Sequence, residues 1–323
     1  MSTKSAALEN EMKVRTRKSS KWLRFYRCLP LYLMFLPGAL YLLMDRYAPM
    51  TGLVIAFKKI NWRKGIFGSD WIGFSNFTYL FKTKDAFNIT RNTILYNLAF
   101  IVLGTLLAIS IAIILNEITS KKMKQFYQTV ILMPYLISIV VVSYLVFALL
   151  SSETGFINNT VIKFFGGEPI SWYTQPKYWP FILVIVHIWK VFGYDTILYY
   201  ATLVGIDQSY YEAAVVDGAN RWQQIIHVTI PNLLPTIITL TLMAIGKIFY
   251  SDFGLFYQVP MDSGPLLDVT STIDTYVYRG LITLNDIGMS SAAGVYQSVV
   301  GFVLVLLSNW IVKKVGGEEN GLF

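Results

Sequence analysis

The sequence predicts an all-α integral membrane protein with six transmembrane helices, and three observations carry that reading. Hydrophobic residues make up 54% of the 323 residues and charged residues only 14%, against roughly 25% charged in an ordinary soluble domain. Six apolar runs approach or exceed the ~17–20 residues a helix needs to cross the hydrocarbon core at 1.5 Å per residue. None of these runs alternates apolar with polar positions, as the strands of a membrane barrel must. With 22 Gly and 11 Pro, the composition is neither collagen-like nor disordered.

The elements follow in order. Residues 1–28 form a basic cytoplasmic tail, with Lys4, Lys13, Arg15, Arg17, Lys18, Lys21, Arg24 and Arg27 against Glu9 and Glu11. The apolar run after it leads into Asp45-Arg46-Tyr47 rather than a small-residue cleavage pattern, so it reads as an uncleaved first span. The membrane domain, 29–323, holds spans at about 29–47, 93–115, 127–150, 179–200, 233–249 and 292–312. The first is marginal, since its apolar run Leu29 to Met44 is short unless it continues to Tyr47.

Charge sets the topology, because Lys and Arg collect on the cytoplasmic side. The basic tail, Lys121, Lys122 and Lys124 after span 2, and Lys313-Lys314 after span 6 put both termini in the cytoplasm. The outer segment 251–291 carries Asp252, Asp262, Asp268, Asp274 and Asp286 against Arg279 alone. Residues 47–92 break the rule: Lys58, Lys59, Arg63, Lys64, Lys82, Lys84 and Arg91 fall on the outer side. Long loops obey it less strictly, and Trp62, Trp71, Phe74, Phe77 and Tyr79 read there as an interfacial belt. Topology therefore absorbs much of the net charge of +8 without a nucleic-acid partner.

Chemistry-bearing residues are few. Cys28 is the single cysteine and His187 and His227 the two histidines, so neither an internal disulfide nor a zinc-type cluster can form, and no metal is expected. No nucleophile–base or paired-carboxylate arrangement stands out, so no catalytic residues are assigned. A phosphate-binding loop needs G-x-x-x-x-G-K-[ST], but Gly246-Lys247 is followed by Ile248 and lacks the upstream glycine. No cofactor is expected on this chain, and any ATP must be hydrolysed on another.

The segment 201–232, between spans 4 and 5 on the cytoplasmic side, is amphipathic where a connector is usually short and polar. Ser209 and Glu212 have capping-box spacing, which starts a helix at Ser209. Ala213 and Ala214 keep that helix thin, and Gly218 permits the turn that ends it. A second short helix from about Asn220 places Trp222, Ile225, Ile226 and Thr229 on overlapping faces. Pro231 is tolerated early in the next span, and Pro235 would kink it.

Here the sequence resembles a family. Glu212-Ala213-Ala214, two residues, Asp217-Gly218-Ala219, then Val228-Thr229-Ile230-Pro231 and Pro235, is similar to the EAA loop of ABC-importer permeases. That resemblance implies a coupling helix that docks in a groove on an ATPase subunit, through Glu212, Ala213, Ala214, Asp217, Gly218, Ala219 and Pro231. Met50 to Lys58, Trp71 to Phe77 and Arg91-Asn92-Thr93 resemble the carbohydrate-uptake branch. Ile273 to Arg279, Asn309-Trp310 and the ending Asn320-Gly321-Leu322-Phe323 resemble its polysaccharide-type permeases. The branch implies a bacterial cell membrane, an oligosaccharide substrate, a second homologous permease and an extracellular solute-binding lipoprotein. It also implies two ATPase subunits that bind the ATP and Mg.

Inside the spans, His187, Lys190, Asp195 and Lys247 are the polar outliers. Such charges are costly in lipid and face a bundle interior, a cavity or a partner. Lys190 and Asp195, five apart, miss the i,i+4 spacing and could each pair with the partner subunit. A sugar path needs aromatic faces with a few polar groups; the candidates are Tyr135, Tyr144, Trp189, Tyr194, Tyr250, Asp252, Phe253 and Tyr257. The competing readings are a self-contained ion-coupled transporter and a membrane-embedded transferase. The first lacks inverted halves and an intramembrane carboxylate chain, the second a clustered Asp or His motif.

Overall fold

The computed structural model describes residues 21–316, so the first twenty residues of the basic tail and the ending 317–323 lie outside the described residues. The chain divides into two compact units, Met1–Val54 and Ile55–Phe323. In the first, α1 (Lys21–Leu42) carries Pro30 and Pro37 and passes into a π turn over Leu43–Tyr47. Each proline removes one intrahelical donor. The run expected to be marginal is in fact helical from Cys28 to Phe57, 30 residues, ample to cross lipid.

The second unit opens with a two-residue antiparallel hairpin, β1 (Lys58–Lys59) with β2 (Asp70–Trp71), followed by α2 (Ser75–Lys82). Then come α3 (Lys84–Glu117), α4 (Lys121–Leu136), α5 (Ile139–Leu150) and α6 (Trp179–Val204). Beyond α6 lie α7 (Gln208–Val216), α8 (Arg221–Gln224) and α9 (Ile230–Ile245). Next are α10 (Phe253–Gln258), α11 (Ile273–Ile282) and α12 (Ile287–Gly316). Among the described residues, five helical runs are long and apolar enough to cross a membrane, or six if the bent pair α4–α5 is one span.

That pair departs from the expected straight span at 127–150. It bends by 93° at Ile137-Ser138, both extended. Pro134 marks the weakness: it withholds a donor and crowds the preceding turn, and the helix ends two residues on. The fifth span also ends early. α9 stops at Ile245, and Gly246 to Phe249 continue as turns rather than as helix to residue 249.

α6 packs along both α3 and α4. On α3, Ala108 and Ala112 share one face and let Tyr199 and Leu203 of α6 approach closely, with Leu233 completing the cluster. Where α6 crosses α4 the spacing is tighter still, since a Cβ on Gly193 would land on the Ile131 carbonyl. Gly193→Ala should therefore cost about 1–3 kcal/mol. The expected result is a melting temperature lowered by several degrees for the purified protein, and an unchanged one would mean that the backbones do not meet at this point.

Between α9 and α12 the chain packs into the core. Leu255, Phe256, Val259 and Leu266 are buried together with Tyr96 and Phe100 of α3, Val146 of α5, and Trp179 and Leu183 of α6. Four of its five aspartates hold backbone or side chains in place. Asp252 caps α10 at Leu255 N and Asp286 caps Met289 N. Asp262 pairs with Arg279 at 3.2 Å, and Asp274 accepts from Ser251 and Gln297. Burial lowers the pKa of Arg279, and Asp262 partly opposes that.

Candidate functional site

Two places gather the predicted residues: a helical loop after α6 and a cavity among the spans. In the loop, Asp207 caps α7, its carboxylate accepting the Ser209 N–H at 2.9 Å. That bond holds the Asp207 carboxyl below the ordinary carboxylate value. The Ser209–Glu212 capping box does not form, because α7 starts at Gln208 and Ser209 already lies in its first turn. The better acceptor, a carboxylate two residues upstream, wins the cap.

α7 closes as expected at Gly218, which has φ +82°. Ala219 N donates to Ala214 O at 2.9 Å and Gly218 N to Val215 O at 3.0 Å, the paired bonds of a left-handed helix stop. A capping box does occur, at Asn220 with Gln223, and it starts the next helical run. This run is not a separate short helix. From Arg221 it passes through a π turn at Ile225–Thr229 straight into α9, ending at Ile245. Pro231 sits at the beginning of α9, where its missing N–H costs little, and Pro235 lies inside it.

α7 and α8 are tied across their turn. Tyr211 Oη lies 3.0 Å from Thr229 Oγ1, Gln224 Nε2 donates to Ala219 O at 2.9 Å, and Arg221 pairs with Glu117 at the end of α3, 3.6 Å. The crook between them is a concavity of roughly 680 Å³ bordered by Glu212, Val215, Ala219 and Arg221. Apolar side chains nonetheless stay out in the open: Val216 is 86% and Trp222 73% exposed. Glu212, Ala213, Asp217 and Pro231 are exposed as well. The turn thus ties α7 to α8 and α3 while it shows apolar side chains to solvent.

The cavity, about 570 Å³, lies among α3, α6, α9 and the unwound stretch after α9. Of the eight path candidates, Tyr194, Tyr250 and Asp252 line it. Tyr135 reaches it indirectly, stacked on Tyr194 with centroids 4.8 Å apart. Phe253 and Tyr257 form an aromatic cluster with Tyr278 instead. Tyr144 and Trp189 are exposed and do not line the cavity. Three of the four intramembrane polar outliers do line it: His187, Asp195 and Lys247, with His187 stacked on Phe100 at 3.7 Å. Their polarity in an apolar run was the signal for the site, stronger than any aromatic.

The fourth outlier has another task. Lys190 Nζ donates to Tyr135 O at 3.1 Å and to Ile137 O at 2.5 Å, the carbonyls left open where α4 breaks. The break after α9 is held in the same way. Asn97 Nδ2 donates to Ile248 O and Tyr250 O, and Gln297 Nε2 to Phe249 O. Sequence reasoning missed Asn97 and Gln297, since an amide in a span carries no charge to mark it.

Apolar helices long enough to cross lipid, and a cavity among them lined by His187, Asp195 and Lys247, are the features of a membrane transport component. Residues 101–317 match the family model of the binding-protein-dependent transport system inner membrane component, and the chain belongs to that family. It is 35% identical to the polygalacturonan/rhamnogalacturonan transport system permease protein YteP of Bacillus subtilis (strain 168), over 91% of this chain and 90% of that one. It is similar to a chain in the crystal structure of a bacterial ABC transporter that imports the acidic polysaccharide alginate, with TM-score 0.83 and 33% identity. That match covers 91% of this chain and 98% of that one. A second structure of the alginate transporter, in complex with an alginate pentasaccharide-bound periplasmic protein, matches with TM-score 0.83 and 32% identity, over 92% and 98%. The chain is a transport component of an ABC importer, not an enzyme.

Proposed function

We propose that the chain is one of two unlike permeases in an importer that takes up oligosaccharides released from complex glycans across a bacterial plasma membrane, with both termini cytoplasmic. Two ATPase subunits bind ATP and Mg and dock on α7 and the α7–α8 crook, through Glu212, Ala213, Ala214, Asp217, Gly218 and Ala219, with Pro231 starting the span they move. An extracellular solute-binding lipoprotein delivers the sugar to the opposite face, and the cavity with Tyr194, Tyr250 and Asp252 is this chain's share of the path.

The observation that carries the reading is continuity: the run from Arg221 to Ile245 joins the exposed loop to the span whose end borders the cavity. A push on α7–α8 therefore reaches the cavity along one helix. The test is uptake of a labelled oligosaccharide, with ATPase activity measured in the presence of loaded binding protein. Glu212→Lys is expected to lower both by roughly tenfold or more, as reversing a charge in a docking interface does. Wild-type values in that variant would sink the docking assignment. Uptake that survives ATP depletion but collapses with the ion gradient would establish the secondary-transporter alternative instead.

A further inference from the structure

Seven Lys and Arg residues fall within 47–92, where the proposed topology expects few. Two have internal duties: Lys58 is buried and donates to Ile66 O and Phe67 O, and Lys64 pairs with Asp70 at 3.1 Å. Arg91, one and a half to two turns into α3, is placed differently. Its Nε and Nη2 donate to Asn92 Oδ1 at 3.2 and 3.0 Å, Nη2 also reaches Asp268 O at 3.3 Å, and the guanidinium lies 5.7 Å from the Phe87 ring centroid. These contacts fix its plane without neutralising it, for it is in none of the ion pairs among the described residues.

A groove of roughly 730 Å³ runs from Arg91 between α3 and α6. Its walls are apolar, and its open side is edged by Phe181 and Ile185, 71% and 65% exposed. It reaches Leu103, twelve residues along α3 and so about 18 Å away. Half of a hydrocarbon core is about 15 Å. The groove thus has the length of one leaflet, with a cation at its headgroup end.

We propose that this groove holds an acyl chain of an anionic phospholipid, whose phosphate sits on Arg91. Nη1 takes no part in these bonds and is left to donate to a phosphate oxygen, a charge-assisted hydrogen bond. A docked protein helix would fill the apolar part but would leave the cation needing a carboxylate. The proposal rests on the topology above only for which leaflet, the outer, supplies the lipid.

The test uses the full chain in its intact membrane assembly, extracted in mild detergent from membranes containing phosphatidylglycerol. Native mass spectrometry should find phosphatidylglycerol retained, and Arg91→Gln should lower that retention roughly fivefold or more while Lys82→Gln leaves it unchanged. A photoreactive benzophenone side chain placed at Phe181 should give adducts with phospholipid. Equal retention in Arg91→Gln, equal loss in Lys82→Gln, or an adduct with a polypeptide would each overturn the site. None of these readouts depends on transport, so an error in the importer reading would leave them intact.

Discussion

Gly218→Val is expected to weaken ATPase docking by roughly 5–30-fold and to reduce uptake in step, while the chain still inserts and folds. The reason is confined to the backbone. A Cβ at Gly218 would meet nothing within 4 Å, so space is not the obstacle. Its φ of +82° is, because a left-handed residue with a side chain costs about 1–2 kcal/mol, and every 1.4 kcal/mol is tenfold in an equilibrium. That strain falls on the turn that sets α7 against α8, since the Ala219 N to Ala214 O bond exists only in this conformation. Gly218→Asn is the control: asparagine tolerates the left-handed region, so it should keep most of the activity. The measurement is binding of the ATPase to the permease in detergent, alongside uptake in vesicles. Valine and asparagine variants that behave alike would show that the turn's conformation is not what the docking reads.

How much of this was legible in the sequence depended on range. The Glu-Ala-Ala segment could be read because its signals are local: a small-residue run, then Gly218 at the spacing where a helix must stop. One local error, the cap at Ser209 instead of Asp207, arose where two good acceptors sit two residues apart. The breaks in spans 3 and 5 were harder. Pro134 hinted at the first, yet nothing near it in sequence shows that Lys190 would come to hold the open carbonyls, 53 and 55 residues away. The packing role of Asp274 was not legible either, because its partners, Ser251 and Gln297, lie 23 residues to either side. Aromatic candidates such as Tyr144 and Trp189 could not be separated from Tyr194 and Tyr250, since helical position alone does not tell lipid from cavity.

Lys190→Met should lower uptake roughly tenfold or more, and Lys190→Arg should restore most of it. The ammonium lies at the C-terminal end of α4, where the helix dipole concentrates partial negative charge. It supplies donors to two carbonyls that the 93° bend takes out of the helical ladder. Methionine keeps the stem's bulk but leaves the half-buried Ile137 O, and the exposed Tyr135 O, without that donor, at about 1–3 kcal/mol where no water replaces it. The bend then competes with other arrangements of the same residues, and Tyr135 loses its fixed position against Tyr194 at the cavity wall. A rival role for Lys190, direct contact with a charged sugar, predicts something else. Removing such a contact would raise KM for a uronate-bearing oligosaccharide and spare a neutral one, whereas loss of a brace lowers the maximal rate for both. Uptake kinetics with one acidic and one neutral oligosaccharide therefore separate the two roles, and a selective KM effect would reassign Lys190 from the break to the substrate.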